Sequence, residues 1–189
     1  MRFAYADPPY LGQARKHYGP EAKEVNHPLL IAHLGEFDGW ALSLSSPSLR
    51  TILPMCPEGV RVGAWVKPFA VFKPGVNPGY CWEPVIFKPL RTHSRDRDTV
   101  RDRVSANVTL QRGVSGAKPE AFCRCMFEVT GLDPSDEFVD LFPGSGAVTR
   151  AWDRWRCQST LGLDTGATVG SPLGSCADPA PAQPIGGDR

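Results

Sequence analysis

Short apolar segments, each cut off by proline or glycine, alternate along this chain with helix-forming segments, and that alternation is the tightest constraint on its fold. Strand, helix and strand in turn imply an α/β fold with a mainly parallel sheet and helices on both faces. Residues 2–6 read as the first strand, stopped by Asp7-Pro8-Pro9-Tyr10, where two prolines cannot donate to a ladder. A polar stretch, residues 11–26, leads to a helix from residue 28 to about 37. Strands follow at residues 40–45, 60–66 and 84–87, with Ser46-Pro47 as a helix-start or turn signal. Between Lys67 and Tyr80, three prolines and two glycines make a loop. A helix over residues 119–130 places Phe122, Met126 and Val129 on one face, with Pro119 suited to its first position and Gly131 to its stop. Residues 137–142 form the next strand, then Pro143-Gly144-Ser145-Gly146, then a helix from Ala147 to about Arg156. Leu161-Gly162-Leu163-Asp164 is read as a last short strand.

A chain of 189 residues holds one domain with a real core and is too short for two ordinary ones. Hydrophobic residues at 41% and charged residues at 22% are the balance of a soluble globular protein. No apolar run approaches the roughly 18 residues that a membrane span needs, and the N-terminus has no apolar signal core. The six cysteines form no C-x-x-C pair and have no histidine at zinc-ligand spacing, so reduced thiols and no metal site are expected. His17, His27, His33 and His93 fall in no catalytic pattern and read as loop or surface residues, whereas Trp40, Trp65, Trp152 and Trp155 read as core. Residues 165–189 are Gly, Pro, Ala and Ser with little to bury, the composition of a disordered tail.

Two loops carry the chemistry, and each directly follows a strand. In open parallel sheets ligands bind beyond the carboxyl ends of the strands, so two such loops converge on one crevice if their strands are neighbours. In Asp140-Leu141-Phe142-Pro143-Gly144-Ser145-Gly146, alternate glycines let a ligand approach the backbone and leave free N–H groups at the helix behind. The same turn also serves simply to reverse the chain. No Gly-Lys-Ser/Thr follows, so it is not a P-loop. In Asp7-Pro8-Pro9-Tyr10, a carboxylate and a rigidly held carbonyl point two acceptors at one donor, beside an aromatic stacking surface. Those are the requirements for acting on an aromatic amine. Its lone pair is delocalised into the ring, and two accepted hydrogen bonds draw the nitrogen toward tetrahedral geometry and stabilise the developing positive charge.

Asp7-Pro8-Pro9-Tyr10 resembles motif IV of the amino-group DNA methyltransferases, Asp140 to Gly146 resembles their motif I, and Gly116-Ala117-Lys118-Pro119-Glu120-Ala121-Phe122 is similar to their motif X. The order, catalytic motif first and cofactor motif last, resembles the circularly permuted β class and its small phage-borne adenine methyltransferases; Trp82-Glu83-Pro84-Val85-Ile86 looks like their late catalytic-half strand. The resemblance implies a Rossmann-like methyltransferase domain over residues 1–164: a catalytic half to residue 90, a basic loop over 91–115 and a cofactor half over 116–164. It implies S-adenosylmethionine (SAM) as cofactor, lined by Asp140, Phe142, Gly144, Ser145 and Gly146, with Lys118 and Pro119 near its methionine end. Asp7, Pro8, Pro9 and Tyr10 would hold a base flipped out of DNA, and a methyl group would pass to N6 of adenine by in-line displacement without a metal. A cytoplasmic setting, in a bacterium or a phage-infected host, goes with that reading.

The chain departs from the family in three places. Asp164 alone is placed to meet the ribose hydroxyls, the third strand of the cofactor half is missing, and there is no separate target-recognition domain. DNA contact then falls to residues 11–26, 67–80 and 91–112; in the last, Arg95, Arg97, Arg101 and Arg103 lie in a segment where basic residues outnumber acidic ones. The alternatives are an N4-cytosine enzyme, an RNA or protein amine methyltransferase, and a decayed methyltransferase that binds DNA or a partner without turnover.

Overall fold

Strand β1 (Arg2–Ala6) lies inside the sheet with both faces covered. Its side chains alternate, so Phe3 and Tyr5 enter one apolar cluster while Ala4 and Ala6 enter another on the opposite face. The computed structural model describes residues 1–15, 19–68, 74–93, 99–108 and 117–164, with side chains to residue 159. The expected tail at 165–189, Arg95 and Arg97 all lie outside the described residues.

Beside β1 the sheet is built from β2 (Gly39–Ser43), β3 (Arg61–Val66), β4 (Trp82–Lys88), β5 (Arg103–Ser105) and β6 (Glu137–Asp140), in the order β5-β3-β4-β2-β1-β6. Helices α1 (His27–Leu34) and α2 (Ser46–Ile52) cover one face, placing Ile31, Leu34 and Ile52 against Trp40, Leu42 and Ile86. Helices α3 (Glu120–Thr130) and α4 (Ala147–Asp164) cover the other, against Phe3, Tyr5, Val85 and Phe87. There Trp152 stacks on Phe138 at 5.1 Å and on Trp155 at 5.4 Å, with Phe127 edge-on to Trp152. Each buried aromatic of this kind contributes about 2–3 kcal/mol through burial alone.

The helix ends follow their sequence signals. Asn26 caps α1 by accepting from the Leu29 N–H at 3.1 Å, and Gly131 stops α3 in the left-handed conformation, φ 71°. Pro119 is the N-cap of α3 rather than its first helical residue.

Four expectations need correction. The sheet is mixed: β1–β2, β1–β6 and β3–β5 are parallel, but β4 runs antiparallel to both β2 and β3. A parallel pair needs a crossover of a dozen or more residues, usually helical, and the Pro- and Gly-rich connection between β3 and β4 has the composition of a reversing loop. Residues 161–164 continue α4 instead of forming a strand, so Asp164 is the last helical residue and does not stand at a strand end, where a ribose-binding carboxylate was expected. A short strand, β5, lies in the charge-rich segment read as irregular; three residues are too few to show an alternation. His27 is buried in the first turn of α1, where desolvation lowers its pKa.

Trp40, Trp65 and Trp152 are core as expected, and Trp155 packs half-buried against Trp152 and Phe127. The described cysteines are not disulfide-bonded. Among the described residues no helix is long and apolar enough to cross a membrane, and no group of His, Cys, Asp and Glu gathers with the geometry of a metal site.

Candidate active site

Parallel pairing sets the two chemical loops side by side. Tyr5 stands opposite Asp140 in the β1–β6 ladder, and the Leu141 N–H donates to the Tyr5 carbonyl at 2.9 Å. The chain after β1 and the chain after β6 therefore leave the sheet at one level, which is the adjacency that sequence alone could not establish.

The antiparallel strand brings more to the same end. Because β4 opposes β2, its first residues lie where β1 and β2 finish, and the Trp65–Glu83 pairing sets the end of β3 there too. Glu83 and Lys67 thus join the tetrapeptide, and Lys118 reaches it from the residues ahead of α3.

The resulting cluster is dense. The Lys118 ammonium, on a side chain 5% exposed, donates to Asp7 Oδ1 at 2.9 Å and to Glu83 Oε2 and the Tyr10 hydroxyl at 3.4 Å each. The Tyr10 hydroxyl donates to Glu83 Oε2 at 2.7 Å, and Lys67 donates to Glu83 Oε1. Lys118 also lies 5.9 Å from the centre of the Tyr10 ring and 5.6 Å from that of Trp65. Beneath the cluster, the buried Tyr5 hydroxyl shares a hydrogen bond with Ser43 at 2.8 Å.

Charge and burial compete at each of these groups. Burial pushes the Asp7 carboxyl up; Lys118 opposes that, and Glu83 adds to it. Burial also acts to raise Glu83, but Lys118, Lys67 and the Tyr10 hydroxyl outweigh it and hold that carboxyl below its ordinary value. Lys118 stays charged because facing Asp7, Tyr10, Tyr5 and Glu83 overcome its desolvation. Cys123, on the inner face of α3, is pushed up to about 12 by burial and is a packed thiol, not a nucleophile.

Across the crevice, the Asp140 carboxylate ties its own loop together: Oδ1 accepts from the Phe142 N–H at 3.2 Å and Oδ2 from the Thr149 hydroxyl at 3.1 Å. Burial raises its pKa, and neighbouring Asp7 adds to the rise. Gly144 and Gly146 are left-handed, φ 46° and 70°, so the loop turns sharply into α4. Arg150 Nη1 donates to the Ser145 carbonyl at 2.8 Å, placing a guanidinium over this turn. Phe142 packs, half-buried, against the α1–α2 face.

Asp7, Pro8, Pro9, Tyr10 and Lys118 therefore meet at one place, and Asp140, Phe142, Gly144, Ser145 and Gly146 line the neighbouring loop. Pro119 is buried beside Lys118. Arg101 and Arg103 are not brought to the cluster: they lie at the start of β5, where Arg103 pairs with Ala64, and the other end of β5 points toward the site. Lys67 was expected only as the first residue of a DNA-contacting stretch and Glu83 only as part of the strand from Trp82 to Ile86, neither as a partner of the tetrapeptide; a charged residue at the second position of β4, directly after the Pro/Gly-rich loop, was the available signal.

No family model and no curated protein matches this chain. Among solved structures it is similar to the crystal structure of the M1.HpyAVI–SAM complex, with a TM-score of 0.55 and 16% identity, over 82% of this chain and 78% of that one. A second crystal structure, of M1.HpyAVI, gives a TM-score of 0.51 and 16% identity, over 82% of this chain and 76% of that one. At such identity the likeness establishes the fold, a mixed six-stranded α/β sheet of methyltransferase architecture.

Proposed function

We propose that this protein transfers a methyl group from SAM to N6 of adenine in DNA, on a base flipped out of the duplex. The observation that carries the reading is the ladder register that sets Asp7-Pro8-Pro9-Tyr10 beside the Asp140–Gly146 loop at one end of the sheet. The fold shared with M1.HpyAVI, whose structure holds SAM, supports the choice of cofactor.

The residues present fit that cofactor. Left-handed Gly144 and Gly146 keep side chains away from the loop backbone, and the first turn of an 18-residue helix leaves N–H groups uncommitted. When bound, SAM supplies an electrophilic methyl group on a sulfonium. On the other side of the crevice, the Asp7 carboxylate and the Pro8 carbonyl accept the two N–H bonds of the target amine. That concentrates the nitrogen lone pair on its free face, turns it toward the Gly-rich loop and disperses the positive charge that builds as the N–C bond forms; the thioether of the spent cofactor would be the leaving group, and the surplus amine proton would pass to solvent. Tyr10 offers its ring as the stacking surface, at an entropy cost reduced because its hydroxyl is already fixed. In the family that the tetrapeptide resembles, its first position is commonly Asp in adenine enzymes and Ser in N4-cytosine enzymes, so Asp7 tilts the target to adenine.

The deciding experiment incubates the protein with duplex DNA and SAM, digests the DNA to nucleosides and identifies the product by mass. N6-methyladenine is expected; N4-methylcytosine alone overturns the choice of base, and a product found on RNA or protein overturns the choice of substrate. One observation favours a second reading: β6 is the edge of the sheet on the cofactor side among the described residues, so the cofactor half is reduced. In that reading the chain binds DNA without turnover, and equilibrium binding of labelled SAM would register no complex.

A further inference from the structure

The ammonium of Lys118 has three N–H donors, and three oxygens stand within its reach: Asp7 Oδ1, Glu83 Oε2 and the Tyr10 hydroxyl. Two aromatic rings, of Tyr10 and Trp65, lie beside it, and among the described residues these three oxygens match its three donors, leaving none over for the carboxylate of a cofactor. Glu83 is as fully engaged: one oxygen takes Lys67, and the other takes Tyr10 and Lys118. Among the described residues, every hydrogen bond and ion pair these two side chains make leads to the tetrapeptide or to each other, Lys67 apart.

We propose that Lys118 and Glu83 are positioning residues for the target base, Lys118 holding the Asp7 carboxylate as an oriented acceptor and Glu83 holding the Tyr10 ring in its stacking plane. The inference deepens the reading above and rests on it. It also moves Lys118 from the cofactor side of the crevice, where the motif resemblance had put it, to the base side.

The chemistry of the amine explains why such a holder is needed. A target amine requires an acceptor, and a protonated carboxyl presents a donor on one of its oxygens. Asp7 is half-buried, and burial together with the Glu83 carboxylate from β4 disfavours its charge; Asp140 from β6, Tyr5 and Tyr10 from its own strand and loop, and Cys123 from α3 face it and have their own pKa values raised by it. Lys118 is the cation at ion-pair distance that opposes them. Two carboxylates and two lysines make the cluster neutral. Removing Lys118 leaves Asp7 and Glu83 sharing Lys67, which contacts Glu83, so the proton that restores balance goes to Asp7. Lys118 also fixes which oxygen is used: with Oδ1 engaged, Oδ2 is directed to the amine. At the other end of the tetrapeptide, the 2.7 Å bond from Tyr10 to Glu83 removes the ring's freedom to swing about the Cα–Cβ bond.

The test compares full-length wild type with Lys118→Met, Lys118→Arg and Glu83→Gln. Three measurements are made: methyl transfer to DNA across pH, equilibrium SAM binding, and the titration of the Asp7 carboxyl by carbon-13 NMR. Lys118→Met should keep SAM affinity within about twofold while the acid limb of kcat and the Asp7 midpoint both move up by about one pH unit or more, the scale of losing an opposite charge at this distance. Lys118→Arg should restore most of the lost rate. Glu83→Gln should raise KM for DNA and weaken the fluorescence change of 2-aminopurine at the target position, with the Asp7 midpoint moving down because a like charge is gone. A tenfold loss of SAM affinity in Lys118→Met with the Asp7 midpoint unmoved would overturn the proposal and return Lys118 to the cofactor. If Lys118→Met does not fold, Glu83→Gln decides: an unmoved Asp7 midpoint and an unchanged KM overturn it. A wild type that methylates no DNA removes the substrate reading, and the NMR titrations still decide whether Lys118 and Glu83 set the state of Asp7.

Discussion

Arg91 closes on both carboxylate oxygens of Asp136, with Nη2 to Oδ1 at 2.7 Å, Nη1 on Oδ2, and the same Nη1 on the Gly131 carbonyl at 3.0 Å. The N-terminal amine adds a third grip on Asp136 Oδ1 at 3.0 Å, and the Asp133 N–H a fourth on Oδ2 at 2.8 Å. This clasp joins the start of β1, the turn after α3 and the segment leading into β6. The Asp136 side chain is 1% exposed, so its partners, not water, stabilise its charge.

Asp136→Ala should cost about 3 kcal/mol, the scale of breaking a buried pair from one side. Burial alone would raise the Asp136 pKa; the hydrogen bonds from Arg91, Asp133 and the N-terminus reverse that and hold it at about 2. A depressed carboxyl stabilises the fold above its unfolded pKa of about 3.9 and loses that contribution as pH falls through its folded value. Urea denaturation should therefore show the gap between wild type and Asp136→Ala constant from pH 7 to 5 and shrinking from pH 4 to 2. A gap that does not change with pH would mean that packing, not charge, is what the substitution removes.

Asp7→Ala should lower methyl transfer by about a hundredfold or more, the effect of removing one preorganised charge-stabilising contact. SAM affinity should stay within about twofold, because the proposed function gives Asp7 its bond to the amine and none to the cofactor. Parallel loss of rate and of cofactor binding would assign Asp7 to the cofactor or to the fold.

Gly146→Val should weaken SAM binding by about tenfold or more, or ~1.4 kcal/mol. At φ 70° any L side chain is strained, and a Cβ there would stand 2.9 Å from Arg150 Nη1, forcing the guanidinium off the loop. Gly144→Ala is the comparison: its Cβ meets nothing closer than the Phe142 carbonyl at 3.8 Å, so the backbone term acts alone and the loss is smaller. Calorimetric titration of both variants, with melting temperatures to confirm folding, separates the two effects. Equal losses would place SAM away from Gly146.

Neutralising Arg95, Arg97, Arg101 and Arg103 together should flatten the salt dependence of DNA binding, since each phosphate contact contributes about 0.9 to the slope of log K against log salt. Arg101 and Arg103 stand exposed at the sheet margin by β5. An unchanged slope would move the DNA surface to the other side of the crevice.

The punctuation of the chain was legible where a strand ran into proline or glycine. Ala6 ahead of Asp7-Pro8, and Asp140 ahead of the Gly144–Gly146 turn, announced both loops and the strands that carry them. Their adjacency was not legible, because a ladder register is a property of tertiary pairing, to which neither strand's own residues point. Glu83 escaped for a related reason: on a parallel β4 it would lie at the far end of the sheet, and strand direction decided its role. The composition of the segment between β3 and β4 held that information, since a short connection rich in Pro and Gly favours reversal over a helical crossover. Residues 161–164 were ambiguous, because four residues with Leu at alternate positions fit a strand as well as the end of a helix. His27 was misplaced because it falls in no catalytic pattern and lies just ahead of the helix expected from residue 28, while the first turn of α1 that it opens faces the core.

Asp7 and Phe142 each lie two residues beyond one ladder pair, Tyr5 and Asp140, although most of the chain separates them. The spacing of the two loops is thus a property of a strand pairing and owes nothing to the connection between them. Opening the chain at one surface turn and joining its ends at another would leave the crevice as it is, provided β1 and β6 remained neighbours. A gene that encoded these segments in the reverse order would specify the same site.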